Sequence, residues 1–292
     1  MAQAVRSVLA CSGGDFELLV IDQSAGDRTR EALAAILSED RRVRYVRTDT
    51  RGVSRARNLA LRLATGEVVA FTDDDCTVPP EWLARMREVF VRWRSVAVAF
   101  CNVAAAPHDP LVGFVPAYQR EGTVLVSTFL GKCTARGIGA GMALRRSVAL
   151  ELGGFDEMLG PGGTLRSGED YDIAVRAILA GHQVCETDAV EVVHYGFRTW
   201  DEGRDLTRRD WYGIGAAYSK PLRVGHLRFA VVPIFELLAN VAWPLARDAA
   251  RLRRPRGLKR ATSFAAGFYR GLRMPLERRT LRFVEDAPQR PE

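Results

Sequence analysis

FTDDDCTVPPEWL (residues 71–83) sets three carboxylates in succession, Asp73, Asp74 and Asp75, behind the apolar run EVVAFT (67–72). Adjacent like charges repel, so a fold gains no stability from the triplet itself. One aspartate would serve to cap the helix that Pro79–Pro80 opens. The others need a different use. Alternate side chains of extended chain share a face, which puts Asp73 and Asp75 together. Two such carboxylates can hold a hard divalent cation such as Mg²⁺ or Mn²⁺. That cation would bridge a diphosphate and offset charge on a departing phosphate oxygen.

Outward from this turn, the pattern is that of an α/β protein. The apolar run FELLVI (16–21) ends at Asp22, and VRYVR (43–47) alternates like a strand. Helical stretches over 27–39 and 54–64 separate these runs. Strand, helix, strand, helix, strand with short turns predicts a mainly parallel sheet covered by helices on both faces. Ligands bind such sheets at the carboxyl ends of the strands, where Asp22 and Asp73 both sit.

Further along, Trp82, Met86, Val89, Phe90 and Trp93 recur at helical spacing and predict a core-facing helix over 81–94. Residues 96–101 read as a strand, and 107–135 as a loop-rich substrate wall. GIGAGMALRRSV (137–148) lacks the spacing of a dinucleotide loop, so its glycines serve a turn or a close backbone approach before the strand Met142–Leu144. GFDEMLGPGGTLRSGEDYD (154–172) is a glycine-rich loop feeding a helix with Ile173, Ala174, Ala177 and Ile178 inside and Gly181 as its stop. Glu169 and Asp170 begin that helix. Negative charge stabilises a helix start, and the alternative is that one of them takes a proton from an acceptor hydroxyl. Residues 184–193 read as strand and end in His194, either a structural histidine or a third metal ligand.

Of 292 residues, 47% are hydrophobic and 26% charged, which excludes wholesale disorder. The net charge of +7 is unevenly placed: 1–203 carry 23 Lys+Arg and 27 Asp+Glu (−4), and 204–292 carry 19 and 8 (+11). Two regions are therefore expected, a catalytic one over 1–203 and a basic, mainly helical one over 204–292. The second suits a membrane surface or an acidic partner, or is simply a solvated arginine-rich face. It shows no repeated aromatic–basic pattern, which argues against nucleic acid. Residues 227–246 are apolar but carry Arg228, Glu236, Asn240 and two prolines. A buried helix pair, or a helix lying on a membrane surface, is expected rather than a span. Five scattered cysteines without a CxxC pair point to reduced thiols in a cytoplasmic setting, and no signal peptide is read at Met1.

Taken in order, these pieces resemble family 2 glycosyltransferases of the GT-A fold. LLVIDQSAGDRT (18–29) resembles the family's first nucleotide-binding acidic motif, and GVSRARNLAL (52–61) the Arg-Asn helix start. FTDDDC (71–76) resembles the metal-binding DxD, GGFDEMLGPGG (153–163) and GEDYD (168–172) the acceptor loop and catalytic acid, and VVHYG (192–196) the His strand. The resemblance covers about residues 1–215. It implies that Asp22, Arg57, Asn58, Asp73 and Asp74 contact a nucleotide-sugar donor. Asp75, Asp73 and His194 would hold Mg²⁺ or Mn²⁺. Asp170, with Glu169 beside it, would be the base that activates a hydroxyl of a glycan or lipid-linked acceptor, inverting the anomeric carbon. A protein of the cell envelope's glycan synthesis, at the inner face of the membrane, is implied.

Two departures stand out. LTRRDWYGIG (206–215) places Asp210 where some members carry Arg before Trp, which counts against a processive polymerase; Arg208, Arg209 and Trp211 are still candidates for the diphosphate or acceptor. The family also opens with a strand ahead of the helix that AQAVRSVLA (2–10) resembles, so an interior strand is expected to be lacking, with the true start upstream or the form truncated. The alternatives are a metal-dependent phosphohydrolase and a basic lipid-binding protein without catalysis.

Overall fold

The computed structural model describes residues 1–251 and 257–285. The expected basic region is thus described except for 252–256 and 286–292, which lie outside the described residues.

Helix α1 (Ala2–Leu9) buries Val5 and Val8 on one side. The predicted alternation follows: β1 (Leu18–Asp22), α2 (Arg28–Glu39), β2 (Val43–Arg47), α3 (Val53–Leu63) and β3 (Val68–Phe71). Then come β4 (Cys76–Thr77), α4 (Trp82–Arg92) and β5 (Val96–Ala105). Short elements β6 (Gly113–Phe114), β7 (Val124–Val126) and α5 (Phe129–Lys132) punctuate the stretch expected to be irregular. Next are β8 (Met142–Arg145), α6 (Arg146–Glu151), α7 (Glu169–Leu179), β9 (Gln183–His194), β10 (Arg198–Thr199) and the long α8 (Trp200–Arg223). Helices α9 (Val231–Leu237), α10 (Trp243–Ala250) and α11 (Leu258–Arg273) and the hairpin β11 (Leu276–Glu277) with β12 (Arg282–Phe283) complete the described chain.

β1 and β2 pair in parallel as a sheet of their own. The larger sheet has the order β3-β8-β5-β9-β4, with β7 also on β9. It is mixed: β5 and β9 are parallel, but β8 runs antiparallel to both β3 and β5. A mainly parallel sheet was expected because helices link the early strands. β8 is instead reached through irregular chain, and nothing in that connection enforces a parallel run.

Side chains of the sheet alternate between two layers, as strand geometry requires. Val98, Phe100, Met142 and Leu144 pack with Leu61 of α3 and Ile173, Ala174, Ala177 and Ile178 of α7. Ala99, Cys101, Val103 and Ala143 pack with Trp82, Met86, Val89 and Phe90 of α4. Trp93 is only partly buried at the edge of that second layer. All five cysteines are buried and free.

The composition change at residue 204 falls inside α8 and marks no break in packing. Lys220 of α8 is buried between Asp156 and Asp172, donating to Asp172 at 2.8 Å. Arg176 of α7 completes this buried network through Asp172 at 2.8 Å.

Between the two sheets lies one cavity of about 1510 Å³. Every residue of β1 and of β3, odd and even alike, lines it. Only a strand edge presents all its residues in this way. Among the described residues β1 pairs only with β2, and β3 only with β8, so both strands turn an unpaired edge to this space.

Candidate active site

The cavity continues from these edges to Asp22, Arg57, Asp73, Asp74, Asp75, Glu169, Asp170 and His194, all of which line it. The chain thus delivers its acids from three places, β1, the β3–β4 turn and α7, to one cleft, and adds Arg57 of α3 and His194 of β9.

Asp22 ends β1 and is buried. It accepts from the Ser24 N–H at 2.8 Å, the Ser24 hydroxyl at 3.0 Å and the Tyr45 hydroxyl. Burial pushes its carboxyl up, but the hydrogen bonds from Tyr45 and Ser24 outweigh that and leave it lowered. A buried acid kept ionised this way offers a fixed acceptor edge to a ligand.

Asp73 and Asp75 stand on the turn between β3 and β4, which is short because Cys76 pairs directly with His194 across to β9. That pairing brings His194 Nε2 to 3.4 Å from Asp75. The other ring nitrogen, Nδ1, is 2.8 Å from the Pro116 carbonyl, which orients the ring with Nε2 toward the carboxylate. Each partner favours the other's charge: the His194 contact lowers Asp75 and the Asp75 contact raises His194, against burial in both cases. Gly196 permits the approach, since a Cβ there would lie 2.7 Å from Asp75 Oδ2.

One ligand atom each from Asp73, Asp75, Cys76 and His194 falls within 4.8 Å of the others. The chemistry of this set fits a hard divalent cation: two carboxylate oxygens and an imidazole nitrogen converge. Cys76 is the poor member. Its sulfur is a soft donor that suits a hard cation badly, and burial pushes its thiol up to about 12. Asp74 is exposed at the cavity rim.

Arg57, buried on α3, joins this cluster to α7. It donates to Glu169 at 2.9 Å and lies 3.6 Å from Asp73. Gly139 sits against its guanidinium, where a Cβ would come within 2.6 Å of Nη2. Glu169 is buried and its carboxyl is pushed up to about 7 by burial and by Asp170, with Arg57 opposing. Asp170 is only partly buried. It accepts from the Gly139 N–H at 2.9 Å and the Tyr171 N–H at 2.7 Å. Of the two acids that open α7, Asp170 therefore reaches the open cleft, and Glu169 is held by Arg57.

Four residues named from sequence are placed elsewhere. Asn58 does not line the cavity: it donates to the Phe155 carbonyl and to Glu157, each at 3.0 Å, and accepts from the Phe155 N–H at 2.7 Å. It clamps the glycine-rich loop instead. Arg208 pairs with Asp205 on the outside of α8 at 3.1 Å, Arg209 is exposed, and Trp211 packs on Phe264. None of these three lines the cavity. One helical turn decides this: the inward positions of α8 are Leu206 and Asp210. Asp210 accepts from the Ser167 hydroxyl at 2.8 Å, and burial pushes its carboxyl up.

Sequence reasoning missed Tyr45, Pro116, Arg198 and Lys132. Arg198, two residues beyond Gly196, is a cation on the cavity wall near Asp75; its closeness to the VVHYG motif was the available signal. Lys132 is buried behind α7 with Nζ 3.5 Å from the Tyr171 ring centre, and burial lowers it to about 8. No local pattern announces that residue.

An α/β core whose strand ends carry a paired-aspartate turn and a second acid across one cleft defines the GT-A class of glycosyltransferase folds. A mannosyltransferase from Pyrobaculum calidifontis, solved with GDP-Man and Mn²⁺, superposes with a TM-score of 0.60 over 92% of this chain and 75% of its own, at 21% identity. Residues 1–148 match the family described as glycosyl transferase family 2, and the chain belongs to that family. Among curated relatives, a pre-mycofactocin glycosyltransferase of Mycobacterium tuberculosis is 30% identical over 204 residues, 67% of this chain and 40% of its own length. A glucosyl-dolichyl phosphate glucuronosyltransferase of Haloferax volcanii is 28% identical over 173 residues, 54% of this chain and 52% of its own. The chain thus spans about half or less of the length of these relatives.

Proposed function

We propose that this chain transfers a sugar from a nucleotide-diphosphate sugar to an acceptor hydroxyl, with inversion and with a divalent cation. The observation that carries this reading is the opening of the Asp73–Asp75–His194 cluster and of Asp170 on one cavity.

In this reading Asp22 and Arg57 bound the nucleotide pocket. Asp73, Asp75 and His194 would hold Mg²⁺ or Mn²⁺, which would supply Lewis-acid neutralisation of the diphosphate. Arg198 is placed to add positive charge on the same side, the part first given to Arg208 and Arg209. Asp170 removes the proton of the acceptor hydroxyl as its oxygen attacks the anomeric carbon from the face opposite the leaving group. The hydrogen bonds from the Gly139 and Tyr171 amides orient its carboxylate for that step. Asp210 lines the same cavity within reach of the Asp170 charge, and this pair of carboxylates suits a sugar hydroxyl better than a phosphate, since both repel an anion. The Mn²⁺ and GDP-Man of the Pyrobaculum enzyme support the cation and the donor class. The glucosyl-dolichyl phosphate in the Haloferax relative's name supports a lipid-linked acceptor, and we assign the reaction to envelope glycan synthesis at the inner membrane face.

The test is thermal-shift titration with nucleoside diphosphates, with and without Mn²⁺, followed by radiolabelled sugar transfer from the stabilising donor class. Stabilisation that needs both nucleotide and cation is expected, because ligands bound only to the folded state raise its stability. Phosphate release from simple esters without sugar transfer would overturn the reading.

A further inference from the structure

The segment Leu227–Ala250 is long and apolar enough to cross a membrane by length and composition. Its packing shows a different use. One face is built into the fold: Phe229, Val232, Glu236, Val241 and Asp248 are buried, and Phe229 meets Phe129 edge-on at 5.3 Å. Glu236 accepts from Arg136 at 3.0 Å and from Asn240 at 2.7 Å. A helix held this way cannot thread a bilayer without unmaking those contacts.

The opposite face is apolar and open. Leu227 (72% exposed), Ile234 (55%) and Leu238 (58%), with Val231 and Phe235 between them, recur three and four residues apart, and Trp243 (68%) follows five residues on, across the π-helical turn Leu238–Ala242. Large apolar side chains contiguous on an outer surface mark an interaction site. The charges around this stripe have one sign. Between Val224 and Arg251 the only acids are Glu236 and Asp248, both turned inward, while Arg228, Arg247 and Arg251 are exposed. In sequence the run continues with Arg253, Arg254 and Arg256, which lie outside the described residues. An apolar face rimmed by arginine, with no outward acid, complements an anionic lipid surface.

We propose that the outer face of 227–250 is a docking surface on which the protein lies flat against an anionic bilayer, apolar side chains in the interface and arginines among the head groups. The docked segment is tied to the cleft. Arg136, which holds Glu236, lies three residues before Gly139, whose N–H holds Asp170. Docking therefore holds the protein on the surface that would carry a lipid-linked acceptor, a consequence that rests on the transferase reading.

The test is sedimentation of the full chain with vesicles of phosphatidylcholine alone or with about one third phosphatidylglycerol. Preferential binding to the anionic vesicles is expected, weakened by salt. The triple variant Ile234→Ser, Leu238→Ser, Trp243→Ser and the double variant Arg228→Glu, Arg247→Glu should each bind about tenfold or more weakly. Their melting temperatures should match the wild type, because the altered side chains are exposed. Equal binding to both vesicle types, or undiminished binding by the triple variant, would overturn the proposal. So would a wild-type dimer in sedimentation velocity that the triple variant dissolves, since that outcome assigns the face to a second copy. Vesicle binding needs neither donor nor turnover, so its failure is distinguishable from failure of the transferase reading.

Discussion

Arg57 and Glu169 form a buried ion pair at 2.9 Å that ties the helix following β2 to the helix carrying Asp170. Asp73 stands 3.6 Å from the same guanidinium. The two acidic regions that sequence reading treats separately are thus bridged by one cation. Removing it should do more than delete a contact. In Arg57→Ala, Glu169 loses the partner that opposes its rise, so it takes up a proton, and the unmade hydrogen bond costs about 1–3 kcal/mol. Urea denaturation should show that loss, and nucleoside-diphosphate affinity should fall with it.

The raised carboxyl of Glu169 gives a pH dependence of definite sign. Its value rises from 4.5 to about 7 on folding, through burial and Asp170. Between those values the folded chain binds a proton that the unfolded chain has released. Stability therefore falls as pH rises through this window, by at most about 1.4 kcal/mol per unit. Above pH 7 the penalty is fully present; below 4.5 it is absent. Melting temperature measured from pH 4.5 to 7.5 should fall less steeply in Glu169→Gln than in the wild type. Parallel slopes would remove this account.

Asp170 and Asp75 should separate chemistry from binding. Asp170→Asn keeps an oxygen to accept one of the two amides and removes the base, so kcat should drop by about 10²–10⁴ while nucleotide affinity holds. Asp75→Asn and His194→Gln should raise the Mn²⁺ concentration needed for nucleotide stabilisation by about tenfold or more. Initial rates and calorimetric titration distinguish the two patterns.

Arg198 and Arg208 offer a direct contrast. Arg198 lines the cavity, whereas Arg208 pairs with Asp205 on the outer side of α8. Arg198→Ala should raise the donor KM by about tenfold, the worth of one charge-assisted hydrogen bond. Arg208→Ala should leave it unchanged and alter stability by less than about 1 kcal/mol, as exposed pairs do.

Much of the cleft could be read before any coordinates. Strand ends are punctuated by short-range patterns, and Asp22, Asp73, Asp75, Asp170 and His194 all sit where an apolar run stops or a glycine loop starts a helix. The residues misplaced from sequence share one feature. Asn58 is next to Arg57, and Arg208, Arg209 and Trp211 flank Asp210, but helical neighbours point about 100° apart. Which of them faces the cleft depends on the packing of α3 and α8, and their motifs do not contain that information.

The sequence by itself determined the elements, the acids at their ends and the basic third of the chain, because strands, helix starts and charge are local properties. Only the tertiary structure decided that β8 inserts antiparallel, that Arg57 neutralises Glu169 and leaves Asp170 for the cleft, and that segment 227–250 shows one face to the core and one outward. Those outcomes rest on contacts between residues about 50–110 positions apart, such as Arg57 with Glu169 and Arg136 with Glu236, and no periodicity encodes a partner at that separation.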